Sequence, residues 1–259
     1  MPQNLFHPLL SVLSCICAAC GGGPADEFPI RKDAFCEDGA TFVNKSTVWL
    51  CGDATADNIS DTISMLSTLE SPKLVIDTFG GDSMAGIKLA RYVQDQKIPV
   101  YVNKVCLSSC SQYLLLAAPE VHFRRYSVIG MHDSQASTNI IANYAEPQTA
   151  ELAQIEREFY SELGINQQIL TLPTAAMNAK CILNREEYEA TGALRLKTDF
   201  DFFVPDERFF RRFYTGEIKT DYPKRTDVER FIAGSKFGEL WRVNYSTPNN
   251  AELKPLPDC

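Results

Sequence analysis

Twice between Lys73 and Ala118 a short apolar run ends in a tight turn and a helical pattern follows at once. Lys73-Leu-Val-Ile-Asp-Thr-Phe79 stops at Gly80-Gly81, and helical spacing runs from Ser83 to Gln94. Ile98 to Val105 is the second apolar run, Ser109 to Ala118 the second helix, and Val128 to Met131 a third strand. Strands separated by helices return by crossovers, so this alternation predicts an α/β fold: a mainly parallel sheet with helices on its faces. In such sheets, ligand sites form where strands end and helices begin.

The flanking segments extend the pattern. Thr41 to Leu50 reads as one strand, and Thr55 to Leu69 as a helix with Ile59, Ile63 and Leu66 on one face. Glu151 to Leu163 repeats Leu152, Ile155, Phe159 and Leu163 at helical spacing, and Asn184 to Gly192 reads as a helix with Asn184 as its cap. Beyond Phe200 only short patterned runs remain. Residues 26–200 are therefore expected to form the α/β domain and 201–259 an extension packed on it. The chain has 259 residues, 45% hydrophobic and 22% charged, which suits a globular core. Its net charge of −8 argues against a nucleic-acid partner, because no basic stripe exists to displace counterions, and Arg208, Arg211 and Arg212 read as a solvated face.

Residues 1–25 differ from the rest. Leu5 to Ala19 is apolar or small and carries no charge, then runs into Cys20 and a glycine run. The apolar stretch is short for a membrane span and stops at small residues, which predicts a cleaved secretory signal and export. Ala18-Ala19-Cys20 resembles a bacterial lipoprotein processing site, where a lipidated Cys20 would tether the chain to a membrane in the periplasm. Without Cys15, Cys17 and Cys20, an even set remains: Cys36, Cys51, Cys106, Cys110, Cys181 and Cys259. Disulfides in an oxidising compartment explain these six better than metal ligation, since they form no CxxC among themselves and beyond the signal only His122 and His132 could assist. Sequence alone leaves the connectivity open. Cys106 and Cys110, four apart across a strand-to-helix turn, are expected to pair with each other; the alternatives are that each pairs with a distant partner such as Cys181 or Cys259, or that both stay free.

The chemistry concentrates between Asp77 and His132. A glycine pair at a strand end can adopt positive φ and turn its N–H groups toward a reacting oxygen. Cys106-Leu107-Ser108-Ser109-Cys110 occupies the next strand-to-helix turn, where a hydroxyl sits at the positive end of a helix dipole. A serine there is also an ordinary helix cap, and a lone histidine is ordinarily a hydrogen-bonded core residue.

The run from Leu74 to Gln94 resembles the segment of the Clp protease proteolytic subunit in which a strand ends in a glycine pair and a helix begins. Cys106 to Ala118 resembles the segment in which the nucleophilic serine opens an apolar helix, and Val128 to Ser134 the short strand that delivers the catalytic histidine. The resemblance spans roughly Val48 to Gly192. The interval of 24 residues from Ser108 to His132 is similar to that of the family. It implies a Clp protease/crotonase-like fold with repeated ββα-type units. It also implies a Ser108 nucleophile, His132 as base, and an oxyanion hole from the N–H groups of Ser109 and of Gly80 or Gly81. Taking Ser108 requires one extra residue in the following helix. Without it Cys110 would be the nucleophile, and Ser109 is the second choice. The family's orienting Asp or Asn falls near Lys180, so Asn178 is the expected third member, with Asn184 and Asp133 as alternatives. His122 reads as structural.

The expected function is that of an exported serine hydrolase acting on a peptide or other acyl bond of a peptide or protein substrate, needing no cofactor or metal, with a homo-oligomer as an open option. Its rivals are a non-catalytic binding or scaffold protein on the same fold, and a crotonase-like enzyme acting on thioesters.

Overall fold

In a computed structural model of the chain, residues 28–31, 36, 38–134, 147–177, 180–182, 195–235 and 242–245 are described. The signal segment expected at 1–25, with Cys20, and likewise Asn178, the helix expected at 184–192 and Cys259 lie outside these residues.

The chain is α/β, with a mixed, mostly parallel sheet flanked by helices. The first strands, β1 (Gly39–Asn44) and β2 (Thr47–Ala54), form an antiparallel hairpin where one strand was expected. The reversal is made by a side chain: Asn44 Oδ1 accepts from the Ser46 N–H at 2.9 Å, an Asx turn that needs no glycine or proline. Helix α1 (Ala56–Ser67) follows, capped by Thr55. Then come β3 (Lys73–Gly81), α2 (Ser83–Asp95) capped by Asp82, and β4 (Val100–Leu107). A π-helical stretch, Cys110–Leu114, runs into the short α3 (Leu115–Ala117). Strands β5 (Glu120–Phe123) and β6 (Val128–Gly130) both pair with β4, and β2 to β5 are parallel neighbours. The ββα arrangement appears at β1–β2–α1, whereas β3 and β4 each meet their helix alone.

Side-chain alternation explains both faces of the sheet. Val48, Leu50, Leu74, Ile76, Val100 and Val102 point to the face covered by α1, α2 and the 110–117 segment, forming the main core with Ile59, Leu66, Ile87, Leu89 and Leu114. Trp49, Cys51, Val75 and Tyr101 point the other way. They meet Phe28 and Ile30 in place of a helix, and a Cys36–Cys51 disulfide, with its Cα atoms 5.9 Å apart, staples this N-terminal cover to β2.

Helix α4 (Pro147–Glu162) sets Phe159 and Tyr160 into the main core, and α5 (Leu172–Ala176) follows. Strands β7 (Lys180–Ile182) and β8 (Arg195–Lys197) form a separate antiparallel pair, with Cys181 in β7. The C-terminal segment shares the core. Strand β9 (Phe202–Phe203) bridges Met131, and α6 (Glu207–Phe213) buries Phe209, Phe210 and Phe213 while Arg208, Arg211 and Arg212 stay exposed. Strand β10 (Glu217–Ile218) extends the main sheet beside β5. Helix α7 (Arg225–Ala233) packs Val228 and Ile232 on Val105 and Leu107, and β11 (Val243–Asn244) pairs with β9. Among the described residues no helix is long and apolar enough to cross a membrane.

Candidate active site

The C-terminal ends of β3 and β4 bring their two turns together. Gly80 has φ +86°, and a β-carbon there would fall 2.5 Å from both the Leu107 carbonyl oxygen and the Ser108 β-carbon. Only glycine permits this approach. Gly80→Ala is therefore expected to cost about 2–4 kcal/mol through the left-handed backbone and the overlap, and to displace the Ser108 turn. Urea unfolding measures the first effect, and the rate of serine-directed labelling the second.

Ser108 itself has φ +55°, a left-handed conformation that a non-glycine residue adopts at a cost of about 1–2 kcal/mol. Its neighbours hold it there. The Ser108 N–H donates to the Gly130 carbonyl at 2.8 Å, and the Gln112 N–H donates to the Ser108 carbonyl at 2.9 Å. Ser111 Oγ lies 2.6 Å from the Gly130 carbonyl and 3.0 Å from that of Ser108. Thus β6, which leads straight to His132, is fastened to the serine turn.

The two side chains meet: Ser108 Oγ is 2.5 Å from His132 Nε2. On the other side of the ring, Asp133 Oδ1 stands 3.2 Å from Nδ1. With a carboxylate at Nδ1, the neutral imidazole carries its proton there, leaving the Nε2 lone pair to accept from the hydroxyl. Asn178 and Asn184, also expected as orienters, lie outside the described residues; among the described residues Asp133 is the carboxylate at Nδ1. The histidine is fixed by groups that sequence reasoning missed. Gln112 Nε2 donates to the His132 carbonyl at 3.1 Å, Met131 and Phe203 exchange backbone hydrogen bonds at 2.7 and 2.8 Å, and Phe202 meets the imidazole edge-on at 5.8 Å. Gln112, a buried polar residue in an apolar helix, was a readable signal. Phe202 offered none.

The other candidates are placed as follows. Ser109 Oγ accepts from the Gly81 N–H at 3.0 Å and lies against Gly86 of α2, and Ser109 is only 2% exposed. The Gly80 N–H donates to Thr78 Oγ1 at 3.1 Å. Both glycine N–H groups expected at the oxyanion hole are therefore engaged by hydroxyl acceptors of the protein, although both residues line the cleft. The Ser109 N–H opens a helical segment and as a first-turn donor has no intrahelical acceptor. It lies 3.0 Å from where a Gly80 β-carbon would stand, at the junction of the two turns. Cys110 is joined to Cys106 in a disulfide that straddles Ser108, with Cα atoms 5.3 Å apart. His122 is buried in β5, stacked on Tyr101 at 4.1 Å with Nε2 2.6 Å from Glu120 Oε1.

The Ser108–His132 pair opens on a cleft of about 600 Å³. Its walls are Asp53 to Ala56 from the end of β2, Phe79 to Asp82 from the glycine turn, and Phe202. A hydroxyl with a base on it, beside a helix-opening N–H and an accessible cleft, can perform acyl transfer.

No protein-family model matches the chain, and no curated protein matches it in sequence. The functional reading rests on this geometry.

Proposed function

We propose that the chain is a serine hydrolase on a Clp protease/crotonase-type fold, cleaving a peptide or other acyl bond through an acyl-enzyme. The observation that carries this reading is the 2.5 Å contact between Ser108 Oγ and His132 Nε2, made by a serine in a left-handed turn that presents its hydroxyl to a cleft. Oγ attacks the acyl carbon while its proton passes to Nε2, and the charge on the carbonyl oxygen is met by the Ser109 N–H. A carbonyl oxygen seated at this junction can also replace Ser109 Oγ as acceptor for the Gly81 N–H. Nε2 then returns the proton to the leaving amine or alcohol as the bond breaks. Water then gives a proton to Nε2 as its oxygen attacks the ester carbon, and as the Oγ–acyl bond breaks Nε2 returns that proton to Ser108 Oγ, freeing the acid and restoring the hydroxyl. Asp133 holds the ring through Nδ1–H and stabilises the imidazolium.

The same reading takes the chain as exported, with cleavage between Ala18 and Ala25 and the two disulfides formed outside the cytoplasm. Peptides or proteins are its substrates. A fluorophosphonate probe tests it: the purified protein is expected to gain one phosphonyl adduct, mapped by peptide mass spectrometry to Ser108. Absence of an adduct on folded protein favours the non-catalytic scaffold instead.

A further inference from the structure

Immediately before the serine turn, β4 leaves the register of β3. Ile76 pairs with Val102 and Thr78 with Cys106, so Asp77 alone faces Asn103, Lys104 and Val105. The bulge frees backbone N–H groups that the ladder would otherwise use. Asp77 takes them up: Oδ1 accepts from Lys104 N at 2.6 Å and from Val105 N at 3.2 Å, and Oδ2 accepts from Asn103 Nδ2 at 2.5 Å. The amide passes the chain on, since Arg124 Nη1 donates to Asn103 Oδ1 at 2.6 Å. Arg124 Nη2 donates to the Ile30 carbonyl at 2.8 Å, and the guanidinium lies 4.5 Å from the centre of the Phe28 ring. Asp77, Asn103 and Arg124 are 6%, 2% and 6% exposed.

We propose that Asp77, acting through Asn103 and Arg124, is a positioning residue for Ser108. It fixes the bulge in β4, the strand whose last residues, Cys106 and Leu107, deliver the serine to His132. The inference rests on the hydrolase reading of the site.

The chain has a polarity that permits few sequences. Both of its ends are donors: the backbone N–H groups of Lys104 and Val105 at one, the guanidinium of Arg124 at the other. Two side chains bridging donors to donors need three acceptor atoms and one donor group between them, which is one carboxylate plus one amide. With asparagine at both positions, an NH2 must face the backbone N–H groups, another NH2 or the guanidinium, however the amides are turned. Burial pushes the Asp77 carboxyl up from its ordinary range, while the hydrogen bonds from Asn103, Val105 and Lys104 and the Lys104 charge act the other way. A group that is costly to bury thus sits where only an acceptor fits.

The experiment compares four proteins, wild type, Asp77→Asn, Asn103→Asp and the double exchange Asp77→Asn/Asn103→Asp, by the second-order rate of Ser108 labelling with a fluorophosphonate. Near-ultraviolet circular dichroism confirms folding. Each single variant is expected to label about tenfold or more slowly, because small displacements of a nucleophile are amplified in rate. The double exchange restores one carboxylate and one amide, in swapped places, and is expected to recover to within about threefold of wild type. A folded Asp77→Asn within about twofold of wild type overturns the proposal. So does a folded double exchange no faster than the singles, and that comparison decides the matter if Asp77→Asn does not fold. If the wild type itself is not labelled, the hydrolase reading falls. The positioning claim is then read from the imidazole ¹⁵N shifts of His132, which Asp77→Asn must move and the double exchange must restore. Unchanged shifts in Asp77→Asn overturn it.

Discussion

Ser108→Ala is expected to abolish phosphonylation and to lower hydrolysis of a peptide or ester substrate by about 10⁴-fold or more, and His132→Ala to have an effect of similar size. The two residues act as one unit, so removing either removes the attacking oxygen or the base that activates it, and the double variant should be scarcely worse than either single. Stability should hardly change, because the lost Ser108–His132 hydrogen bond is worth only about 1 kcal/mol at a partly exposed position. Ser109→Ala is the informative companion. It removes the acceptor of the Gly81 N–H without touching the base, so labelling should persist within about tenfold of wild type. Labelling that survives Ser108→Ala and disappears in Ser109→Ala would falsify the assignment of the nucleophile.

The second large effect concerns the Cys106–Cys110 bridge. It closes a loop of sequence separation 4, so its removal should cost only about 2 kcal/mol of stability in the chain-entropy model. The activity cost should be larger. The bridge ties the end of β4 to the first residue of the π-helical stretch, and between them lie Leu107, the strained Ser108 and Ser109, whose N–H is the proposed oxyanion donor. Preorganised donors of this kind contribute roughly 3 kcal/mol to the transition state. Cys106→Ala/Cys110→Ala is therefore expected to lose about tenfold to a hundredfold in kcat/KM, mostly in kcat, while its thermal midpoint falls by a few degrees. Full activity in the double variant would show that the turn holds itself without the bridge.

How legible this was in the sequence varies with the physics involved. The strand and helix pattern was readable because each repeats a burial period over many residues; α1, α2 and β3 fall within a few residues of their expected ends. The β1–β2 hairpin was not readable, because an asparagine side chain makes the reversal where no glycine or proline marks it. Strand β5 was missed for its shortness and its charged start at Glu120. At the site, the interval from Ser108 to His132 called for one extra residue in the following helix. A π-helical stretch, which winds more residues into each turn than an α-helix, lies over Cys110–Leu114. The β4 bulge, the Asp77 network and the engagement of both glycine donors depend on side chains meeting across strands, and no local pattern announces that. Asp133 was only a fallback, since the adjacent residue in sequence is rarely placed to reach Nδ1 of the ring.

The backbone clamp between Met131 and Phe203 has a bearing on how the protein comes into being. A growing chain carries serine, histidine and both glycines long before it carries Phe202 and Phe203, the strut behind the imidazole. Until that strut has been synthesised and docked, the histidine has its ring partner Asp133 but no wall to lean on. The proposed reactive centre is thus assembled late, from pieces far apart in time as well as in sequence, and a polypeptide cut short before Phe203 is left without the strut behind His132.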